Sequence, residues 1–236
     1  RVTATAGTAA VVTTSSRTDC MKACWIASDH TKFAVVYCDF SDSDKTYAVI
    51  GTVSGATVAF GTPLKIYDTE AMAQDGANDI CMLTTDKFLV TIRGATSNDP
   101  IAIACSVATT TITAGTAVAL EAVTMTGKTR CVQLATNVAG VWYDDGTNIS
   151  YSCVTVSTLT ITDATSIDTR VGAVDKFATA WVDPFTQDAY LASVNDDGLI
   201  ITKVTNREQT SWSDPEYFGG GSDFLIPYGN VTNNMG

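Results

Sequence analysis

A Gly-Thr pair that recurs at a fixed interval constrains the fold of this chain more than any other sequence feature. The pairs that follow a Thr-apolar-x-x run begin at Gly7, Gly61 and Gly115, so that consecutive pairs of this kind lie 54 residues apart. The four residues before each of these pairs begin with Thr and an apolar residue (TATA, TVAF and TITA), and this alternation is typical of a half-buried β-strand. The interval therefore predicts a structural unit of about 50 residues that is repeated along the chain.

Three further patterns recur in a constant order around the Gly-Thr strand. The first is a short apolar segment, in which Cys20, Cys81, Cys131 and Val171 are taken as equivalent. The second is an apolar strand that often ends in an aromatic residue, any residue and Asp, and it reads FAVVYCD, FLVTIRG, AGVWYDD and FATAWVD. Its equivalent positions are Tyr37, Ile92, Trp142 and Trp181. The third reads YAVIGTV, IAIACSV, ISYSCVTV and AYLASV, so each unit contains four short strands.

Repeats of about 40–50 residues with four strands each are typical of β-propeller blades. The sequence therefore predicts an all-β chain, a β-propeller of four-stranded antiparallel blades that forms a single domain over residues 1–236. The predicted blades span about residues 17–72, 73–124, 125–167 and 168–205. Residues 1–16 look like an outer blade strand, so we expect them to complete a fifth, composite blade with residues 206–236. A leftover strand from a longer array is the alternative.

The charge and cysteine content exclude several classes of partner and site. Asp and Glu number 25 and Lys and Arg 14, and the net charge of −11 disfavours binding to nucleic acid or anionic lipid. No apolar run approaches the ~18 residues of a membrane span, so we expect no membrane insertion. The seven cysteines include no CxxC pair and would have only one histidine as a co-ligand, which makes a zinc site unfavourable. We expect most of them to be small buried residues, with one or two disulfides as the alternative.

The segment FAVVYCDFSDSDKTYAVIGTVSGATVAFGTP, residues 33–63, resembles a repeat found in tail-fibre and other surface proteins of marine bacteriophages and in some marine microbial and algal surface proteins. The second unit replaces Gly51 and Gly55 by Cys105 and Thr109. The resemblance implies a propeller-like β repeat at a virion surface or outside a cell, where it serves attachment, and it implies no catalytic residues. The matching residues are Val35, Tyr37, Asp39, Ala48, Gly51 to Gly55, Phe60, Gly61 and Pro63.

The loops between the second and third strands of each unit should lie on one face of a propeller. They read DFSDSDK, RGATSNDP, DDGTN and DPFTQD, and they place nine acidic or amide residues on one rim: Asp39, Asp42, Asp44, Asn98, Asp99, Asp144, Asp145, Asp183 and Asp188. Because Ca²⁺ binds carboxylate oxygens at alternate loop positions, Asp39, Asp42 and Asp44 are the candidate calcium ligands. The same residue types also form tight hairpin turns and Asx turns, which is the simpler explanation.

Aromatic residues near this rim could stack on a sugar while acidic groups bind its hydroxyls. The predicted ligand-binding residues are Phe40, Asp99, Tyr143, Asp144, Asp145, Asp183 and Phe185. Trp142 and Trp181 lie inside strands, and we expect them to pack between blades. Asn148 and Asn230 begin Asn-x-Ser/Thr sequences and are candidate glycosylation sites.

The sequence does not indicate an enzyme. His30 is the one histidine and lies in the turn between the first and second strands, and no GxSxG, phosphate loop or dinucleotide motif is present. We therefore expect a non-enzymatic, extracellular or virion-surface protein that binds a surface glycan or a neighbouring protein subunit. A structural subunit of a larger fibre or surface assembly is the alternative. A glycoside hydrolase that uses rim carboxylates is a second alternative.

Overall fold

The computed structural model places the repeated strands in four antiparallel sheets, which confirms the all-β class. A short 3-10 helix (Phe40–Asp42) accompanies the strands, and the described part of the chain contains no α-helix. In that same part, no helix has the length and apolar content that crossing a membrane requires. The described residues are 7, 9–13, 20–26, 30–73, 77–162, 166–171, 176–183, 188–195, 198–204 and 216–218.

The first sheet follows the predicted strand order. Its strands are β1 (Lys22–Trp25), β2 (Lys32–Asp39), β3 (Lys45–Ser54), β4 (Thr57–Phe60) and β5 (Leu64–Tyr67). The last two strands both pair with β3, one with each half of it. They form a single outer strand that is interrupted at residues 61–63, where the Gly-Thr-Pro sequence lies.

The second sheet repeats this arrangement. Its strands are β6 (Asn78–Thr84), β7 (Lys87–Arg93), β8 (Pro100–Ala108), β9 (Thr111–Ala114) and β10 (Val118–Ala119). Both β9 and β10 pair with β8. The interruption of the outer strand again falls at a Gly-Thr pair, at residues 115–117.

The third sheet shows where the predicted unit boundary differs from the structure. Its strands are β11 (Thr129–Ala135), β12 (Val138–Asp144), β13 (Asn148–Ser157), β14 (Thr160–Thr162) and β15 (Ser166–Val171). β15 pairs with β13, so residues 166–171 form the outer strand of this sheet. The boundary predicted at 167/168 therefore falls inside a strand, and Val171 does not belong to the first strand of a fourth unit.

The fourth sheet is consequently shifted by one strand relative to the prediction. It contains β16 (Lys176–Val182), β17 (Ala189–Asn195), β18 (Gly198–Val204) and β19 (Glu216–Phe218), paired in that order. β16 contacts β11, just as β1 contacts β6 and β6 contacts β11, so β16 occupies the innermost place. Residues 183–188 thus join a first strand to a second strand. Alternation of period two looks alike in every strand and does not reveal a strand's place in its sheet.

Three apolar layers join the four sheets in succession, because the strands of the inner sheets bury side chains on both faces. The layer between the first and second sheets joins Ala34 and Val36 to Phe88 and Val90. In the next layer Leu89 packs with residues of the third sheet, and the last layer joins the third and fourth sheets. Trp142 is fully buried in this last layer, which confirms that it packs between sheets.

The faces also correct the sequence alignment of the third unit by one residue. Ile92 and Tyr143 each pack on the preceding sheet, and Tyr37 lies on the corresponding face of the first sheet. Trp142 points the other way, towards the fourth sheet. Tyr143 is therefore the equivalent of Tyr37, since a shift of one residue in a strand moves every side chain to the opposite face.

The repeated glycines bring the outer strand of each sheet against the β-turn of the next sheet. A Cβ atom on Gly61 would lie 2.8 Å from the carbonyl oxygen of Thr110, and one on Gly115 would meet the carbonyl oxygen of Leu159. Gly7 approaches the carbonyl oxygen of Ala56 in the same way. Glycine therefore recurs every 54 residues at positions where two backbones approach so closely that a side chain would collide.

No disulfide joins the seven cysteines, all of which lie in the described part of the chain, and most of them are buried, as expected. Five of them are buried, and Cys24 and Cys153 are half-buried. Burial raises the pKa of Cys105 to about 12, so this thiol stays protonated and unreactive at neutral pH.

Candidate functional site

The loop between β2 and β3 is the acidic loop in which the sequence predicts calcium ligands. Asp39 caps the 3-10 helix: its carboxylate accepts hydrogen bonds from the backbone N–H of Ser41 at 2.9 Å and from the Ser41 hydroxyl at 2.6 Å. Ser43 and Asp44 both have left-handed backbone angles, and the backbone N–H of Asp44 donates to the carbonyl oxygen of Asp39 at 2.9 Å. This loop is a capped turn of the kind that Asx residues form.

Asp42 has a different set of partners, one on β3 and one on the outer strand β5. Its Oδ2 atom accepts a hydrogen bond from the Tyr47 hydroxyl at 2.7 Å and lies 2.8 Å from Lys65 Nζ. Lys65 also reaches Asp68 at 3.3 Å. The hydrogen bond from Lys65, followed by that from Tyr47, lowers the pKa of Asp42, which is therefore ionised throughout the neutral range.

The three candidate calcium ligands do not converge in the structure. Asp39 caps a helix, Asp42 binds Lys65, and Asp44 is largely buried. Among the described residues, no three His, Cys, Asp or Glu side chains come together as a group that could hold a metal ion. The geometry of this loop therefore matches the turn-forming alternative, in which the carboxylates satisfy backbone and side-chain donors of the loop.

The loop between β7 and β8 is held by a carboxylate that the sequence analysis did not single out. Glu70, which follows β5, accepts hydrogen bonds from the backbone N–H of Thr96 at 2.6 Å and from that of Ser97 at 2.9 Å. The Ser97 hydroxyl donates to the same carboxylate at 2.7 Å. Burial opposes ionisation of Glu70, but the hydrogen bonds from Ser97 and Thr96 outweigh it and lower its pKa. Asp99, in this loop, is half-buried.

In the loop between β12 and β13, the side chains of Asp144 and Asp145 accept hydrogen bonds from backbone N–H groups of the loop itself. Asp144 is almost fully buried and accepts a hydrogen bond from the backbone N–H of Gly146 at 2.7 Å. Asp145 accepts from the backbone N–H of Thr147 at 2.7 Å, as Asp39 does from the residue two positions ahead. Asn148 is half-buried, and its side-chain amide contacts Asp145.

In the structure, Tyr143 does not lie on the predicted ligand surface. Its side chain is fully buried between the second and third sheets, and its hydroxyl donates to Glu121 at 2.9 Å. A buried ring cannot stack on a ligand from solvent. The prediction failed because Tyr143 is the last core residue of β12, on the face that the second sheet covers, and not a residue of the loop that follows.

The fourth predicted loop differs from the other three because it follows the innermost strand of its sheet. Asp183 is half-buried, and its backbone N–H donates to the carbonyl oxygen of Asp188 at 2.9 Å. Asp188 forms an ion pair with Lys203 at 2.8 Å. Phe185 and Asn230 lie outside the described residues.

Phe40 is the predicted contact residue that the structure presents to solvent. Its side chain is 62% exposed at the start of the 3-10 helix. The same loop holds Asp42, whose partner Lys65 is 33% exposed, and the second carboxylate that Lys65 binds, Asp68, is 70% exposed. We call this set the β2–β3 patch: Phe40, Asp42, Tyr47, Lys65 and Asp68. It combines an exposed aromatic ring with fixed donors and acceptors.

Strand register explains why the sequence analysis missed Lys65 in this patch. Lys65 lies 18 residues after Tyr47 in the sequence, yet the two are directly paired across β3 and β5. The sequence analysis also did not single out Met72 and Met125, which bind these loops from a distance in the sequence. The backbone N–H of Met72 donates to the carbonyl oxygen of Asp44 at 2.9 Å, and that of Met125 donates to the carbonyl oxygen of Asn98 at 3.0 Å. Their spacing of 53 residues is a signal that the repeat search could have used.

Comparison with known proteins bears on the fold alone. No family model matches the chain, and no curated protein sequence matches it. Among solved structures, the chain is similar to the crystal structure of AofleA from Arthrobotrys oligospora, with a TM-score of 0.56 and 8% sequence identity. The match covers 85% of this chain and 56% of that chain, so this chain spans little more than half of its structural relative.

Proposed function

We propose that the chain is a β-propeller-type, non-enzymatic binding protein that acts outside a cell or on a virion surface. The propeller arrangement is supported by the successive contacts of the innermost strands β1, β6, β11 and β16 and by the apolar layer between each pair of neighbouring sheets. Four-stranded sheets that follow one another in this way are the blades of a propeller. The fold by itself does not specify a ligand, which has to be argued from the surface.

The ligand surface that we propose is the β2–β3 patch, and the observation that carries this proposal is the exposure of Phe40 on a capped turn. A large apolar ring that is 62% exposed leaves most of its surface accessible to a ligand, and on a rigid loop it loses little entropy when a ligand covers it. The ring offers a stacking surface, and the Asp42–Lys65–Asp68 network beside it offers donors and acceptors for hydroxyl groups. A surface glycan or a polar protein surface fits this chemistry.

The test compares the chain with Phe40→Ala on a glycan array and against polysaccharide and protein extracted from host surfaces. We expect the variant to bind at least about 5-fold more weakly, because a buried aromatic anchor at an interface contributes more than about 1 kcal/mol. Val11→Ala removes another exposed apolar side chain, 73% exposed, and should leave binding unchanged. Equal loss in both variants, or binding that survives Phe40→Ala, would contradict the proposed patch.

A structural subunit is the alternative, and solution mass distinguishes the two. A monomer that binds a glycan supports the binding protein, whereas an obligate complex without glycan binding supports the subunit.

A further inference from the structure

Three polar atoms in the layer between the third and fourth sheets are buried away from solvent. They are the indole nitrogen of Trp142 and the hydroxyl oxygens of Ser193 and Thr202, in residues that are 0%, 0% and 1% exposed. Within the described part of the chain, none of these three atoms has a hydrogen-bond partner. Each group therefore loses its hydration on folding and receives no described protein partner in exchange.

Strand pairing places the two hydroxyl groups on the same face of the fourth sheet, next to one leucine. Leu191 belongs to the apolar cluster that joins the third and fourth sheets and contains Trp142. Thr202 is directly opposite Leu191 in the pairing of β17 with β18, and Ser193 follows Leu191 by two residues in β17. Residues that are two apart in a strand, or paired across two strands, share a face. Both hydroxyl groups therefore lie in the layer that contains Trp142.

The other neighbours of Leu191 on this face are small. Ala180 is opposite Leu191 in the pairing of β16 with β17, and Ala189 precedes Leu191 by two residues. Leu191 is thus surrounded within its own sheet by two alanines, a serine and a threonine. Because these four side chains extend less far across the layer than leucine does, large apolar neighbours of the same sheet do not crowd the two hydroxyl groups.

Buried hydroxyl groups in the layer between the second and third sheets, by contrast, pair with one another. The hydroxyl oxygens of Thr91 and Thr129 lie 2.9 Å apart, and the Tyr143 hydroxyl lies 3.1 Å from that of Ser152. Folded proteins satisfy nearly all buried polar groups, either with protein atoms or with ordered water, because an unpaired group costs its full desolvation penalty. The three groups between the third and fourth sheets therefore call for a bound partner.

We propose that ordered water molecules are bound in the layer between the third and fourth sheets. One water bridges the hydroxyl groups of Ser193 and Thr202, and a water accepts a hydrogen bond from the indole N–H of Trp142. A hydroxyl group can donate and accept, whereas an indole N–H can only donate, and water serves both. An apolar ligand would leave all three groups unpaired, while water is the usual partner of buried groups of this kind.

A crystal structure of the full chain, at a resolution that shows interior water, tests the proposal directly. We expect electron density for a water oxygen within about 2.5–3.2 Å of both Ser193 Oγ and Thr202 Oγ1, and for another at a similar distance from Trp142 Nε1. Hydroxyl groups that contact protein atoms only, or that have no water density beside them, would overturn the proposal.

The sign of a change in melting temperature provides a second test, because Thr202→Val removes the hydroxyl group and keeps the shape of the side chain. If water binds this hydroxyl, the variant loses a hydrogen bond, and its melting temperature should fall by about 2–4 °C. If the hydroxyl were unpaired, valine would remove a buried polar group and the melting temperature would rise. Thr111→Val, at an exposed threonine of the second sheet, is the matched control and should change little.

A double variant tests whether one water bridges the two hydroxyl groups. Ser193→Ala alone should lower the melting temperature as Thr202→Val does, but the two together should lower it by less than the sum, because either one alone already disrupts the bridge. An unchanged or higher melting temperature for Thr202→Val, or strictly additive shifts in the double variant, would contradict the proposal. The water lies inside the protein and away from the β2–β3 patch, so glycan binding and this inference can fail separately.

Discussion

Replacing Gly61 by Ala should destabilise the protein because the new methyl group would collide with the backbone of the second sheet. The ideal Cβ atom would lie 2.8 Å from the carbonyl oxygen of Thr110 and 2.9 Å from its Cβ atom. Ordinary contacts at a Cβ atom are 3.4 Å or more, so the turn at Thr110 must move by about half an ångström. Residue 61 cannot readily move away instead, because its N–H donates a hydrogen bond to the carbonyl oxygen of Ile50 in the first sheet at 2.9 Å.

The magnitude follows from two opposing effects. Overpacking against backbone costs about 1–3 kcal/mol, whereas the loss of glycine's freedom in the unfolded chain returns about 0.4–1 kcal/mol. The central values of these two ranges leave a net loss of about 1.3 kcal/mol, which corresponds to a melting temperature roughly 3–5 °C lower for a chain of this size. Thermal unfolding followed by circular dichroism measures it, with Thr62→Ala, an exposed neighbour, as the control. An unchanged melting temperature for Gly61→Ala would refute the idea that the repeated glycine is required for close approach between sheets.

Two further perturbations address the turns. Glu70→Gln should cost about 1 kcal/mol, at the low end for charge-assisted hydrogen bonds because solvent screens the carboxylate. Since the folded-state pKa of Glu70 lies below its ordinary value, this stabilisation is present above the unfolded pKa and is lost as the pH falls through the folded one. Chemical denaturation at a series of pH values should therefore show the largest difference between the two proteins at neutral pH, and this difference should shrink as the pH falls. Thr109 has a positive φ of 58° at the position where the first sheet has Gly55, also at 58°. Thr109→Gly removes roughly 1–2 kcal/mol of strain but loses about 0.4–1 kcal/mol to the greater freedom of the unfolded chain, so it should raise the melting temperature by about 1–4 °C, and Gly55→Thr should lower it similarly. No change in either variant would contradict a strained turn.

Local patterns in the sequence predicted the elements of the fold well. Runs such as FAVVYC and FLVTI are strands buried on both faces, and the loops at residues 39–45, 93–100 and 144–148 join second to third strands as predicted. These features depend on neighbours in sequence: β-branched and aromatic residues favour strands, and Asp, Asn and Gly favour turns. The burial of most cysteines could be predicted because Cys outside disulfides is among the most often buried residue types.

The candidate site was less predictable, because its chemistry depends on partners that are distant in sequence. The sequence predicts Asp42 as a calcium ligand, whereas in the structure its carboxylate binds Lys65 and accepts a hydrogen bond from Tyr47. Glu70 showed no motif at all, yet it binds two backbone N–H groups of the following sheet. The exposure of Phe40 could be predicted from its place in a loop. The burial of Tyr143 could not, because it depends on which face of β12 is covered by the neighbouring sheet.

The amino-acid sequence by itself determined that this chain forms short antiparallel strands in units of about 50 residues, since that information lies in the period of apolar residues and in the recurring glycines. The tertiary structure alone decided that residues 166–171 close the third sheet and that Trp142 and Tyr143 face opposite neighbours. Alternation of period two is identical for an inner and an outer strand. Only pairing with strands far along the chain distinguishes them.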